Sequence, residues 1–412
     1  MLQSGFGLLV LVAFAWVLSE NRRKVSPMTI TIGLGLQVLL ALVMLKVPVF
    51  ERLFLRLNDV ALAIEKATKA GTSFVFGYAG GGPLPFSEPY PGAAFIFAFQ
   101  ALPIILVMSA ISAVLYYWRV LPKIVQGFSW CLQKTMGVGG ALGVGAASNI
   151  FIGMVEAPLV VKPYLSKMTR SELFSLMTCG MATIAGTMLV VYATILSEAI
   201  PNSMGQILAA SIISAPAAIL IARVMVPEIG NVTDGHAVPP REAASTMDAV
   251  IHGTSDGIVI LTNVIATLVV LVALVALINI GMESLPYVDG APLTLQRILG
   301  WIMAPVVWLI GIPWAEAQVA GSLMGTKTIL NEFIAYLDMS QLEPGALSER
   351  SRIIMTYAMC GFANLGSLGI MIGGLSAMAP GRRTEIVSLG AKSIVSGTLA
   401  TLMTGAVVGL IL

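Results

Sequence analysis

Glu156 and Glu332 each stand inside a stretch apolar enough to lie in lipid. A carboxylate at mid-membrane costs roughly 2.5 to 3.5 kcal/mol on insertion scales, so each needs a partner or a substrate. One reading makes both functional. The other has each pair with a neighbouring lysine or a backbone amide and merely hold its segment together. Thr183 and Asn364 sit in glycine-flanked settings, Cys179-Gly180 to Gly186 and Gly361 to Gly366, within otherwise apolar helices. Glycine at that density lets a helix unwind, which frees carbonyls and half-helix ends for ions and polar ligands. A threonine hydroxyl can also bond its own helix backbone at little cost, which is the plainer account of Thr183.

These residues belong to a pattern written twice. Glu332 follows Glu156 by 176 residues, Ser348 follows Ser171 by 177, and Cys360 follows Cys179 by 181. Such self-similarity is the trace of an internal structural repeat. Ala141 to Leu165 is long enough to cross a membrane, yet it holds Asn149, Glu156 and Pro158 at its middle. Lys134 precedes it, and Lys162, Lys167 and Arg170 close it. Both of its ends therefore belong on one side, and the segment is expected to enter and return as a helical hairpin with Gly139, Gly140, Gly143, Gly145 and Gly153 easing the reversal. Trp301 to Leu337 is expected to enter from the opposite face, giving inverted topology.

The elements that must position these residues follow from composition. Of 412 residues 57% are apolar and 11% charged, with a mean hydropathy of +0.91, which places the chain in a bilayer. A net charge of +2 with two histidines leaves no basic face for nucleic acid. Phe6 to Leu18, Met28 to Leu45, Ala93 to Val114, Ile207 to Val226, Ile258 to Ile278 and Thr384 to Leu412 read as spans. Phe6 to Leu18 lacks the marks of a removable signal. Val47 to Lys69 mixes apolar and charged residues as a surface helix does, and Gly77 to Gly92 reads as a loop. Pro227 to Ser255 is expected to be a cytoplasmic loop with a surface helix. Arg22, Arg119, Lys167, Arg223 and Arg382 then all fall on one side, the cytoplasmic one by the positive-inside rule, with the N-terminus outside.

The expected architecture is an all-α polytopic membrane protein with about eight transmembrane helices and two opposed re-entrant hairpins. It divides into N-terminal spans and an interfacial helix (1–135), a first repeat (136–226), a linker with a scaffold span (227–280) and a second repeat (281–412). Ile258 to Ile278 is a candidate scaffold and subunit contact, or simply a lipid-facing span. Cys131, Cys179 and Cys360 read as small core residues rather than a disulfide framework. No metal-ligand spacing of His, Cys or carboxylate appears, and Asn231-Val232-Thr233 is a chance glycosylation pattern on the inner side. Gly253-Thr254-Ser255-Asp256-Gly257 beside His252 formally fits a hydrolase nucleophile pattern, but it leads into an apolar span and lacks the strand-turn-helix context that chemistry needs. The chain is not expected to be an enzyme. A passive channel is the other rival, and it predicts flux without saturation.

Asn149-Ile150-Phe151-Ile152-Gly153-Met154-Val155-Glu156-Ala157-Pro158-Leu159, Ala182-Thr183-Ile184-Ala185-Gly186, Gly321-Ser322-Leu323-Met324-Gly325 with Asn331-Glu332-Phe333, and Cys360-Gly361-Phe362-Ala363-Asn364 resemble the concentrative nucleoside transporters. The resemblance runs from about residue 90 to the C-terminus, and residues before that match only in layout. It implies sodium-coupled uptake of nucleosides such as uridine or adenosine by a homotrimer in a membrane. Carried over residue by residue, Asn149, the backbone at Ile152, Thr183 and the backbone at Ile184 would form the sodium site, a set of hard oxygen donors suited to a hard cation. Glu332, Asn364 and Ser367 would hold the ribose hydroxyls. Glu156 would face the base, with Gly153 near it and Phe362 as an apolar surface.

Many members of the family carry Gln-Thr where this chain has Met154-Val155, and neither Met nor Val can read a base edge by hydrogen bonds. Base contact is then expected to rest on Glu156, water and apolar packing, giving weak discrimination between purines and pyrimidines. Proton coupling through Glu156 is the alternative to sodium. The lean chain, without long tails, suggests a bacterial inner membrane.

Overall fold

The computed structural model describes residues 2–88, 93–154, 156–197, 199–233, 243–288, 290 and 292–412, with Glu51 described by its backbone alone. Val155 and His236 lie outside the described residues. The described chain is helical nearly throughout. The first elements are α1 (Leu2–Val17), α2 (Pro27–Lys46) and α3 (Pro48–Phe76). The surface helix expected over Val47 to Lys69 is α3, which ends seven residues later, and it buries Phe54, Ala61, Thr68 and Thr72 along one stripe. The expected third span is split into α4 (Phe97–Gln100) and α5 (Ile104–Tyr117), where Pro103 lacks an amide to continue the ladder.

After a turn at Arg119 comes α6 (Val120–Met136), which the sequence reading left out. It buries Pro122, Val125, Ser129, Leu132 and Met136, a spacing of three and four, and exposes Lys123 and Trp130. The first hairpin follows as α7 (Gly140–Asn149), α8 (Glu156–Val160) and α9 (Lys162–Leu165). A broken span is built from α10 (Arg170–Ala182) and α11 (Gly186–Leu196), and then α12 (Ser203–Met225) runs through the centre, buried on nearly every face.

The second half repeats this plan. α13 (Thr246–Met282) is followed by α14 (Leu295–Leu309), the hairpin α15 (Trp314–Ile329) and α16 (Glu332–Ser340), the broken span α17 (Glu349–Met359) and α18 (Leu365–Met378), and the closing α19 (Arg383–Ile411). The surface helix expected within Pro227 to Ser255 is not a separate element: it is the first part of α13, which starts at a Ser245 cap and runs 37 residues without a break. The Gly253 to Gly257 pattern lies inside that helix, so the nucleophile turn is absent. The second hairpin does not begin at Trp301. That residue belongs to α14, which meets α15 at 117°. Gly321 permits the close fit, since a Cβ there would fall 2.5 Å from the Gly300 carbonyl oxygen.

Among the described residues six helices are long and apolar enough to cross a membrane, from α2, α4–α5, α10–α11, α12, α13 and α19. α1, with 16 residues, and the broken α17–α18 complete the expected eight. Contacts at the loops fix the inversion. Arg223 donates to Met136 O and Gly137 O, Arg382 donates to Leu165 O and Met168 O, and Glu20 N donates to Met225 O. Both ends of the first hairpin therefore lie with the α1–α2 and α18–α19 turns. At the opposite end Arg350 donates to Gly311 O and Gly409 O, and Glu316 accepts from Ser348. The second hairpin is anchored there.

Cys179 and Cys360 are buried, whereas Cys131 is only half-buried, and all three are free thiols. α13 stands apart from this core: it packs chiefly along α5, and the face it turns outward is apolar, with Val259, Val269, Leu277 and Ile280 exposed.

Candidate functional site

The two broken spans cross where they unwind. A Cβ at Gly361 would sit 2.9 Å from Met181 O and 3.0 Å from Ala182 C, so only glycine lets the Cys360–Asn364 backbone lie this close to the end of α10. On the first-repeat side of the crossing, Thr183 Oγ1 donates to Asn149 O at 2.9 Å and to Cys179 O at 2.9 Å. Asn149 Nδ2 donates to Gly145 O, while its Oδ1 is buried with no hydrogen-bond partner among the described residues. An orphaned carbonyl oxygen beside a hydroxyl lone pair is an arrangement a small hard cation satisfies. Ile184 is buried next to Thr183, and Ile152 is half-buried at the hairpin tip. Asn149, Thr183 and Ile184 are thus one cluster, with Ile152 at its edge.

On the second-repeat side, Glu332 opens α16 and is 4% exposed. Its carboxylate is held at both oxygens: Tyr192 OH donates to Oε1 at 2.6 Å, and Asn364 Nδ2 donates to Oε2 at 3.0 Å. Asn364 is itself the cap of α18, its Oδ1 accepting from Ser367 N at 2.7 Å. One amide therefore orders both the helix start and the carboxylate. Asn331 caps α16 in the same way, accepting from Ile334 N at 2.9 Å. Lys327, on α15, is wholly buried, has no hydrogen-bond partner among the described residues and feels the Glu332 charge. Ser367 is buried and Phe362 half-buried beside this cluster.

Helix starts align the halves differently from the side-chain matches. The caps Thr169 and Ser348, and again Ala185 and Asn364, are 179 residues apart, so Asn364 corresponds by position to Ala185 rather than to Thr183. The first repeat lacks the side-chain cap. There Gly186 N donates to Phe151 O at 3.0 Å, so the tip of the first hairpin secures the start of α11.

Glu156 is exposed into a cleft of about 370 Å³ that Phe151, Gly153, Thr187, His252 and Asp256 also line, and which reaches the end where Arg119 and Lys123 lie. Met154 is not in that lining. It is buried against α10, where a Cβ on Gly180 would touch its Cβ at 3.0 Å. Tyr192 and Lys327 went unassigned in the sequence reading. Tyr192 reads there as one more aromatic in an apolar helix. Lys327 is a lone cation five residues before Glu332 in an apolar stretch, and that charge is the signal that marks it. Among the described residues no group of three or more His, Cys, Asp or Glu side chains gathers as a metal site.

Residues 206–409 match the C-terminal profile of the Na+ dependent nucleoside transporters, residues 6–79 the N-terminal profile of the same family, and residues 98–199 a nucleoside recognition profile. The chain is 34% identical to the nucleoside permease NupC of Helicobacter pylori, over 98% of this chain and 96% of that one. It is 33% identical to the sodium/nucleoside cotransporter 1 of Mus musculus, over 98% of this chain and 63% of that longer one. The structure of CNTnw in an inward-facing substrate-bound state superposes with a TM-score of 0.90 at 38% identity, covering 99% of this chain and 98% of that one.

Proposed function

Because the chain belongs to the Na+ dependent nucleoside transporter family, we propose that it imports nucleosides by sodium symport across a bacterial inner membrane. The observation that carries the reading is the crossing of the unwound segments. It sets the oxygens of Asn149 and Thr183 a few residues from the Glu332–Asn364 pair. In this reading Asn149, Thr183 and the backbone at Ile152 and Ile184 hold sodium, and Glu332, Asn364 and Ser367 hold the ribose. Glu156 and Gly153, at the wall of the cleft, meet the base, with Phe362 as the apolar surface. The contact with α10 withdraws the Met154 side chain from the base.

Movement is expected to divide the molecule as its packing does. The hairpins and broken spans form the transport unit, and α5 with α13 forms the scaffold, whose outward apolar face suits a homotrimer contact within the bilayer. The domain division 1–135, 136–226, 227–280 and 281–412 follows the same logic. The cleft reaching the Arg119 end fits a site open to the cytoplasm.

The test is uptake of labelled uridine and adenosine into proteoliposomes, with and without a sodium gradient, for the wild type and Glu332→Ala. Saturable, sodium-driven uptake is expected. The variant loses two charge-assisted hydrogen bonds, and affinity should fall at least thirtyfold, about 2 kcal/mol. Uptake that rises in acid without sodium would move the coupling to protons, and no uptake by folded wild type would overturn the nucleoside reading.

A further inference from the structure

Tyr192 comes from α11, in the first repeat, yet its hydroxyl lies on the Glu332 carboxylate of the second. The residue is wholly buried, and its ring is held between Phe333 at 6.2 Å and Tyr336 at 5.2 Å between centroids. Tyr336 is fixed in turn, since its hydroxyl donates to Thr356 O at 2.8 Å. The phenol therefore has one place to point. An ionised carboxylate offers about four acceptor sites, two on each oxygen. Tyr192 bonds Oε1 and Asn364 bonds Oε2, with the Glu332 backbone amide as a further partner of the carboxyl, so both oxygens are engaged and the plane of the group is fixed.

We propose that Tyr192 is a positioning residue that sets the Glu332 carboxylate to receive two neighbouring sugar hydroxyls at once, and so determines the preference for ribosides over sugars lacking those hydroxyls. This rests on the nucleoside reading above. Without Tyr192 the Oε1 side loses its side-chain donor and the carboxylate can turn about its Cγ–Cδ bond, and a turned carboxylate presents its remaining acceptor capacity to protein rather than to the diol. Binding a rotating acceptor also costs entropy that a fixed one has already lost on folding.

The experiment compares dissociation constants of uridine and 2′,3′-dideoxyuridine, measured by calorimetry on purified full-length protein in sodium buffer. The variants are wild type, Tyr192→Phe, Glu332→Gln and the double variant. Tyr192→Phe removes one oxygen and leaves both ring contacts. The riboside preference should fall at least tenfold, chiefly through weaker uridine binding, while dideoxyuridine binding changes less than twofold. Because Tyr192 acts through the carboxylate, adding Tyr192→Phe to Glu332→Gln should alter the preference by less than twofold.

A purely structural role would lower the yield of folded protein or weaken both ligands together, and an unchanged preference in folded Tyr192→Phe overturns the proposal. Should that variant not fold, p-aminophenylalanine at 192 keeps the shape with a poorer donor. The preference must then fall partway toward that of Glu332→Gln, and an unchanged value overturns the proposal. Wild type that binds neither ligand would instead strike the nucleoside reading itself, and the role of Tyr192 with it.

Discussion

Lys327 and Asn149 are buried polar groups with an unfilled hydrogen-bonding demand, and each predicts its own phenotype. Lys327 lies five residues before Glu332, close enough for the two charges to interact. Neutralising one member of a buried pair leaves the other uncompensated. Lys327→Met should therefore lower stability by about 1 to 3 kcal/mol, read as a lower melting temperature of the detergent-solubilised protein, and should impair uptake even where protein survives. Asn149→Ala removes the orphaned oxygen, and half-saturation of uptake by sodium should rise at least tenfold while the Glu332 cluster stays intact. An unchanged sodium response would take Asn149 out of the ion site. Polarity out of place made Asn149, Thr183, Glu156, Glu332 and Asn364 visible in the sequence. Tyr192 was invisible because a phenol costs little in lipid-like surroundings, and its role arises from a partner 140 residues away. Met154 could be identified as apolar, but which way it faced depended on the space that Gly180 leaves in α10.

Glycine governs the elements that carry these side chains. Gly361 has φ in the ordinary range, and its constraint is space, since a methyl group there would also meet Thr401 Cγ2 at 2.7 Å. Gly361→Ala should push the two unwound segments apart by a few tenths of an ångström or more, weakening sodium and nucleoside binding together by roughly tenfold, about 1.4 kcal/mol. Loss of one without the other would show that the crossing does not join the two sites. The hairpins were legible because basic residues closed both ends of the first, leaving a segment too polar at its middle to cross. The start of the second was misplaced because α14 is as apolar as a span, and only Gly300 against Gly321 reveals that it folds onto α15 as a separate helix. α6 escaped notice because its buried residues are a stripe with Ser129 among them, not a continuous apolar run. α13 hides its length because Thr246 to Gly257 is polar enough to read as a surface helix apart from the span that follows, although the Ser245 cap starts both as one helix.

Across the whole molecule, five charges knit the end where the first hairpin is anchored. Glu20 meets Arg170 at 2.9 Å and Lys392 at 2.5 Å, and Glu385 meets Arg382 at 2.7 Å and Arg170 at 3.5 Å. The Arg170 hydrogen bond, with help from Lys392, lowers the Glu20 carboxyl to about 2. A carboxyl lowered on folding stabilises the protein above its unfolded value near 4.5, and that contribution is lost as pH falls from there toward 2. Arg170 is 40% exposed, so solvent screening holds the effect to about 1 kcal/mol or less. Glu20→Gln should thus lower the melting temperature slightly at pH 7, with the gap to wild type closing below about pH 4. A gap that widens in acid would refute the assignment.

The uncapped start of α11 reaches further than its single bond suggests. Its first amide, at Gly186, is protected by the carbonyl of Phe151, which belongs to the hairpin and not to α11. Any excursion of that hairpin tip leaves the amide bare. Deuterium uptake at Gly186 is therefore a clock for displacement of the first hairpin's tip, one that runs in unlabelled protein, and sodium should slow it and a bound nucleoside slow it further.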